Sequence, residues 1–207
     1  MKGDYPGDVQ RIFNRWAPLY PIVDLFARGI REKVFHFTSP RKKAKILDVC
    51  TGTGGQAFEF GRRGFEVRGI DLSEDMLKIA RRKNRYANVR FDIADASNLP
   101  YKDNYFDISC ISFGLHEMPN DVREKVLKEM IRVTKPQGKL VIVDYASPKA
   151  KIRNFLFYHF VQLYESKYFS EFIKTDLQDA IEGTGLKFNG LYEWAFGCVR
   201  IWKYEKV

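Results

Sequence analysis

Hydrophobic positions along this chain recur with two periods, and the order in which the periods alternate sets the expected architecture. Between residues 8 and about 36, Val9, Ile12, Phe13 and Trp16, then Ile22, Leu25, Phe26, Ile30 and Val34, fall at helical spacing. Pro18 and Pro21 divide that pattern into two pieces. A polar, basic connection with Pro40 runs from Phe37 to Lys43. Short apolar runs then alternate with helical patterns. Strands are predicted at Ile46–Cys50, Phe65–Ile70, Val89–Ala94, Phe106–Ser112 and Leu140–Tyr145. A helix opens at the glycines after the first strand and stops at Gly61. Another is capped by Ser73, with Glu74 and Asp75 in its first turn and Arg81, Arg82 and Lys83 in its last, charges matched to the helix dipole. A third starts near Asn120, carries Val122, Val126, Leu127, Met130 and Ile131 on one face, and ends at Lys135-Pro136.

Beyond the fifth strand, the aromatic-rich stretch Phe155 to Tyr168 is predicted helical. Thr175 and Gln178 read as a capping box opening a last helix that ends at Gly183. Two closing strands, about Lys187–Trp194 and Cys198–Tyr204, are joined by a turn containing Gly197. That turn is too short for a parallel crossover, so at least one of the two runs antiparallel. The expected fold is α/β: a Rossmann-like, doubly wound, mostly parallel seven-stranded sheet with an antiparallel strand at the carboxyl-terminal edge and amino-terminal lid helices. No internal repeat or second domain is visible. Residues 1–207 read as one domain, with 1–43 covering the cleft and 44–207 forming the core.

Length and composition agree with a soluble α/β domain. A chain of 207 residues buries roughly 70% of its unfolded surface. No apolar run approaches the roughly 18 residues of a membrane span, and Met1-Lys2-Gly3-Asp4 does not begin a signal peptide. Cys50, Cys110 and Cys198 have no metal-ligand spacing and sit in apolar runs, so they are expected to be reduced core residues of a cytoplasmic protein, with no metal. The net charge of +9 is spread over Arg41-Lys42-Lys43, Arg81-Arg82-Lys83 and Lys149/Lys151/Arg153. Such clusters serve as solvated helix ends, as a peripheral contact with an anionic membrane surface at its inner face, or as a nucleic-acid contact; charge alone does not choose. No pattern specifies an oligomeric state.

The segment Asp48-Val49-Cys50-Thr51-Gly52-Thr53-Gly54-Gly55 carries the chemistry. An apolar strand runs into an acidic residue and then into a turn where a ligand can approach the backbone. A second apolar run ends in Asp71 and a third in Asp95-Ala96. Acidic residues at successive strand ends describe a nucleoside site, where a carboxylate can hold vicinal ribose hydroxyls. Gly52-x-Gly54-x-x-Ala57 would also pass as a dinucleotide fingerprint. Asp48 inside the first strand, the forty-odd residues before that strand and the Asp95-Ala96 pair argue against NAD.

Over roughly residues 45 to 204 the chain resembles the class I S-adenosylmethionine-dependent methyltransferases. The resemblance rests on Asp48–Gly54, Gly69-Ile70-Asp71-Leu72-Ser73-Glu74-Asp75-Met76-Leu77, Asp95-Ala96-Ser97-Asn98-Leu99-Pro100-Tyr101, Asn104-Tyr105-Phe106-Asp107 and Arg132-Val133-Thr134-Lys135-Pro136-Gln137-Gly138. It implies S-adenosyl-L-methionine as cofactor. Thr51, Gly52, Thr53 and Gly54 then pass by its methionine part, Asp71 binds the ribose, Asp95 the adenine amino group and the Ala96 amide a ring nitrogen. Leu72 or Met76 flanks the adenine, and Asp48 and Ser112 complete the cofactor set.

Ile111-Ser112-Phe113-Gly114-Leu115 is similar to the ubiquinone/menaquinone C-methyltransferases, and Phe13, Ala17-Pro18-Leu19-Tyr20 and Gly29 echo their amino-terminal pattern. Two departures stand out. His116-Glu117 replaces the usual Arg-Asn, and the family's Tyr-x-Tyr-Leu segment gives way to Phe155, Phe157, Tyr158, His159, Phe160, Tyr164, Tyr168 and Phe169. The expected partner is a small-molecule methyl acceptor, aromatic or prenylated, such as a quinol. A phospholipid or amine acceptor is the alternative. A nucleic-acid partner is disfavoured, because the Asn/Asp-Pro-Pro-Tyr type motif of base-amino methyltransferases is absent after the fourth strand. His116 is the first candidate base and Glu117 the second, while Trp16, Tyr20, Phe113, Asp144 and Tyr145 are candidates for the acceptor pocket.

Overall fold

The strand Lys45–Val49 (β1) lies at the centre of the sheet because nearly every position in it is apolar, as a parallel strand covered on both faces requires. The computed structural model of the chain describes residues 20–147, 168–175, 177, 181 and 183–207, with backbone alone for 20–26. Before β1 runs the helix Tyr20–Thr38 (α1). Pro21 sits in its first turn, where the missing N–H costs nothing. Gly61 closes α2 (Gly55–Gly61), and β2 (Glu66–Asp71), α3 (Glu74–Lys83), β3 (Val89–Ile93) and β4 (Phe106–Ser112) follow. Ser73 caps α3 as expected, its Oγ accepting from the Met76 amide at 3.3 Å. After a single turn at Leu115–Glu117 come α4 (Asn120–Val133), β5 (Thr134–Tyr145), α5 (Phe169–Phe172), β6 (Leu186–Trp194) and β7 (Val199–Lys206).

The seven strands form one sheet in the order β3-β2-β1-β4-β5-β7-β6. Strands β1 to β5 are parallel, and the order reverses between β1 and β4, which opens a crevice at their carboxyl ends. β7 is antiparallel to both β5 and β6, so the reversed strand lies one place in from the edge, which β6 holds. The β6–β7 register slips between Phe188 and Gly190.

Helices cover both faces. On one, Leu47, Val49, Ile111 and Ile142 pack with Val126, Leu127 and Met130 of α4. On the other, Ile46, Val67 and Cys110 pack with Ile30 and Val34 of α1, Phe60 of α2 and Leu77 of α3. Val126, Leu127 and Met130 bear out the helical spacing read from the sequence.

Two boundaries differ from expectation. α4 ends at Val133, not at Pro136, and β5 begins at Thr134, not at Leu140. The residue before a proline is pushed into extended backbone, so the Lys135-Pro136 pair drives the chain straight from helix to strand. Thr134 pairs with Phe106, the register then shifts, and pairing resumes at Lys139 opposite Ile108. All three cysteines are free; Cys110 is buried, whereas Cys50 and Cys198 lie in turns and are part-exposed. The first amino-terminal piece with Trp16, the aromatic stretch as far as residue 167 and Gln178 of the capping box lie outside the described residues. Among the described residues no helix is long and apolar enough to cross a membrane.

Candidate functional site

The glycine turn after β1 is held from below. Asp48 falls on the same face of β1 as Ile46, is buried, and accepts from Thr51 Oγ1 at 2.5 Å and from the Cys110 thiol at 3.4 Å. Burial pushes its pKa up to about 6, against the pull of Thr51, Cys110, the Ala57 amide and the Arg31 charge. The turn climbs through positive φ at Cys50 (54°), Gly52 (54°) and Gly54 (85°). Its amides are committed: Thr51 N–H donates to the Ile70 carbonyl at 2.8 Å and Gly52 N–H to Asp71 Oδ2 at 2.8 Å. A Cβ on Gly52 would meet no atom within 4 Å, so the turn presents a bare backbone face to the crevice. Gly54, by contrast, is pressed against Phe91 and Phe58, where a Cβ would come within 2.7 Å.

Asp71 closes β2 one strand away. Its Oδ1 accepts from the Ser73 amide at 2.9 Å, and burial raises its pKa while the amides of Ser73, Gly52 and Leu72 oppose the rise. Beside it two apolar side chains stand in the open: Leu72 is 52% exposed and Ile93, at the end of β3, is 54% exposed. Met76 is half-buried. Asp95 is exposed, Oδ1 accepting from Ser97 N and Oγ at 2.8 Å each, and Ala96 is buried next to it. At the end of β4, Ser112 Oγ is buried with no hydrogen-bond partner among the described residues.

An uncovered glycine face, a carboxylate with lone pairs to spare, two stranded apolar side chains and an orphaned hydroxyl stand on four adjoining strand ends. That set fits an adenosyl sulfonium: hydroxyls for the carboxylate and a ring face for the apolar pair. No group of three or more His, Cys, Asp or Glu among the described residues is arranged to hold a metal ion.

The other half of the crevice, beyond β4, is built differently. Gly114 lets the chain turn tightly, since a Cβ there would lie 3.1 Å from the Cys50 Cβ. The turn that follows carries His116, which is 2% exposed. Its Nδ1 lies 2.6 Å from Asp144 Oδ1 and its Nε2 lies 3.4 Å from Glu117 Oε1. Asp144 also accepts from the amides of Leu115 (3.1 Å), His116 (3.3 Å) and Tyr145 (2.8 Å), so four donors meet one carboxylate. Arg123 of α4 fastens the same turn, donating from Nε to the Leu115 carbonyl at 3.2 Å and from Nη2 to the Met118 carbonyl at 2.9 Å. Its guanidinium lies 4.9 Å from the Phe172 ring centroid. Tyr145, Phe169 and Phe172 pack around the imidazole, and Phe113 sits 5.3 Å from Tyr145.

The structure thus brings Thr51, Gly52, Asp71, Leu72, Asp95 and Ser112 to one set of strand ends, and His116, Glu117, Phe113 and Tyr145 to the next. Two expectations change. Asp48 lies under the turn with its oxygens taken by Thr51 and Cys110, so it holds the loop rather than facing a ligand. Asp144, expected at the border of the acceptor pocket, is fully buried and serves His116 and the turn. Thr53 is half-buried at the rim, Trp16 lies outside the described residues, and Tyr20 is described in backbone only. Arg123, Phe172 and Arg31 went unread in the sequence. Arg123 stands at a position of α4 where an apolar stripe is expected, and an arginine interrupting such a stripe is the signal that could have found it.

Sheet order, glycine turn and acidic strand ends define a Rossmann-like α/β protein with a nucleoside-type crevice. The profile of the ubiE/COQ5 methyltransferase family matches residues 8–180, and the chain belongs to that family. A demethylmenaquinone methyltransferase of Paenarthrobacter aurescens is 38% identical over 148 residues, 69% of this chain and 57% of that protein. The demethylmenaquinone methyltransferase of Bacillus licheniformis is 34% identical over 198 residues, 91% of this chain and 83% of that protein. The chain spans 57–62% of the length of the first three curated relatives it matches. Among solved structures, a SAM-dependent methyltransferase from Aquifex aeolicus superposes with a TM-score of 0.66 at 22% identity, over 86% of this chain and 89% of that one. The [4+2]-cyclase SpnF superposes with a TM-score of 0.69 at 19% identity, over 87% and 80%. A cyclase on the same frame shows that the frame alone does not fix the reaction.

Proposed function

We propose that this chain transfers a methyl group from S-adenosyl-L-methionine to a small aromatic or prenylated acceptor of the quinol type. The observation that carries the reading is the set of strand ends at the β1–β4 reversal, where Gly52 is bare and Ser112 Oγ is orphaned. The relatives are demethylmenaquinone and ubiquinone/menaquinone methyltransferases, which supports the acceptor class. When bound, the cofactor supplies a methyl group on a positively charged sulfur, already activated for transfer.

The residues of the chain do the rest. Asp71 offers the ribose hydroxyls the lone pairs that Gly52 and Ser73 leave over. Asp95 and the Ala96 amide address the adenine edge, with Leu72, Met76 and Ile93 against its faces. Phe113 and Tyr145 form an aromatic wall for a planar acceptor. Positioning the acceptor in line and excluding water then supply most of the rate. His116 is the base: Asp144 fixes Nδ1, so the acceptor's proton goes to Nε2, where Glu117 stabilises the imidazolium. The rings around the imidazole part to admit the acceptor.

Isothermal titration of the purified chain with S-adenosyl-L-methionine tests the first half. Micromolar affinity is expected, and no heat at millimolar cofactor rejects the reading. Labelled methyl groups offered with separate quinol and phospholipid extracts test the second half. Label in the quinol fraction is expected; label confined to phospholipid moves the acceptor to that class.

A further inference from the structure

A second hollow, of about 240 Å³, opens between α1, the start of α2 and the end of α3, on the outer side of the glycine turn. Among the described residues Arg28, Arg31, Arg62 and Lys83 line it, with Glu59 as the one carboxylate and the Phe58 and Tyr86 rings on its wall. Glu59 offsets only part of that charge. It is already taken by Arg62 at 3.2 Å and by Arg63, which lies outside the hollow. Among the described residues Arg28 and Lys83 have no ion pair or hydrogen-bond partner. Four cations facing one concavity repel one another, and three of them, Arg28, Arg62 and Lys83, stand exposed, while Arg31 packs against Gly55. A concavity focuses such a field, which favours an anion over water.

The volume selects the kind of anion. It is below the roughly 300–1,000 Å³ of sites that hold whole drug-sized ligands. Among the described residues four cationic side chains face one carboxylate there, so a compact, multiply charged anion is favoured. Guanidinium forks match tetrahedral phosphate oxygens in pairs, and a lysine adds a point charge. We infer that this hollow, which adjoins the cofactor crevice at Thr53, is a phosphate-binding site that takes a free phosphate or the phosphate of a lipid headgroup. Thr53 and Gly55 belong both to its lip and to the glycine turn, so an occupant touches the loop that shapes the crevice.

Two arms distinguish the sources. In the first, inorganic phosphate is titrated against the full-length chain at low salt, followed by phosphorus NMR line broadening. In the second, the chain is co-sedimented with phosphatidylglycerol vesicles and with phosphatidylcholine vesicles. Wild type is compared with Arg28→Ala/Lys83→Ala, a pair of substitutions at exposed positions. Losing two charge-assisted contacts is expected to weaken binding about tenfold or more. Broadening lost in the double variant identifies a free phosphate site. Sedimentation with phosphatidylglycerol alone, lost in the double variant, identifies a headgroup site. Binding equal in both proteins, or none in either arm, overturns the inference. Neither arm uses the cofactor or a methyl acceptor, so the result stands whatever the reaction.

Discussion

The two halves of the crevice spend their polar groups in opposite ways. At the ends of β1 to β3 they stand open: Gly52 is bare, Asp95 is exposed, and Leu72 and Ile93 face solvent. In the turn after β4 and at the end of β5 they are sealed, with His116, Glu117, Arg123 and Asp144 all buried and bonded to one another or to the backbone of that turn. An open set suits a ligand that many related proteins share, because the protein needs only to leave donors, acceptors and ring faces accessible. A sealed set costs desolvation and repays it only if every member is satisfied. The sealed half is also where the candidate base His116 and its neighbour Glu117 lie.

The largest effect expected from breaking that contrast is on stability. Asp144→Ala strands the His116 ring and three amides, and urea unfolding should show a loss of about 3–5 kcal/mol. A loss below 1 kcal/mol would mean the cluster is not sealed. His116→Gln keeps much of the volume but removes the base. Turnover should fall about 10²–10⁴-fold with cofactor affinity unchanged; an unaltered rate would take His116 out of the chemistry.

Asp48 links the halves to pH. Its folded pKa of about 6 lies above its ordinary 3.8, so the folded state holds the proton more tightly than the unfolded one. The stability this group contributes is therefore greatest in acid and is lost as pH rises from 3.8 to about 6. Asp48→Asn should flatten that slope. Relative to wild type, the variant should gain up to roughly 3 kcal/mol between acid and neutral pH, read by urea unfolding at both. A parallel pH dependence in the two proteins would contradict the assignment. In the open half the effect should be on binding alone. Asp71→Asn is expected to weaken cofactor affinity roughly ten- to hundredfold by calorimetry with little change in melting temperature.

The open half was the more legible in the sequence, for a physical reason. Strand-end carboxylates such as Asp71 and Asp95 are set by spacing along the chain, and so is the left-handed turn that needs Gly52 and Gly54. The sealed half depends on contacts across the sheet. Asp48 lies directly opposite Cys110 on β4, and Asp144 reaches back 28 residues to His116. Both carboxylates sit in strands covered on both faces, where no alternation marks which side chain points at a ligand and which at a neighbour. The start of β5 was missed because a lysine-proline pair after a helix reads as a stop, while here it turns the chain directly into a ladder.

The slip in pairing between Phe188 and Gly190 has its own consequence. β6 is the outermost strand, and a long regular outer strand offers its free amides to any sheet that comes near, the first step towards fibrils. One residue out of step breaks that row and twists the strand. The exposed Lys187, Asn189 and Glu193 add polar cover along it, so the protein can carry an apolar margin with Phe188 and Leu191 at its border without inviting amyloid growth.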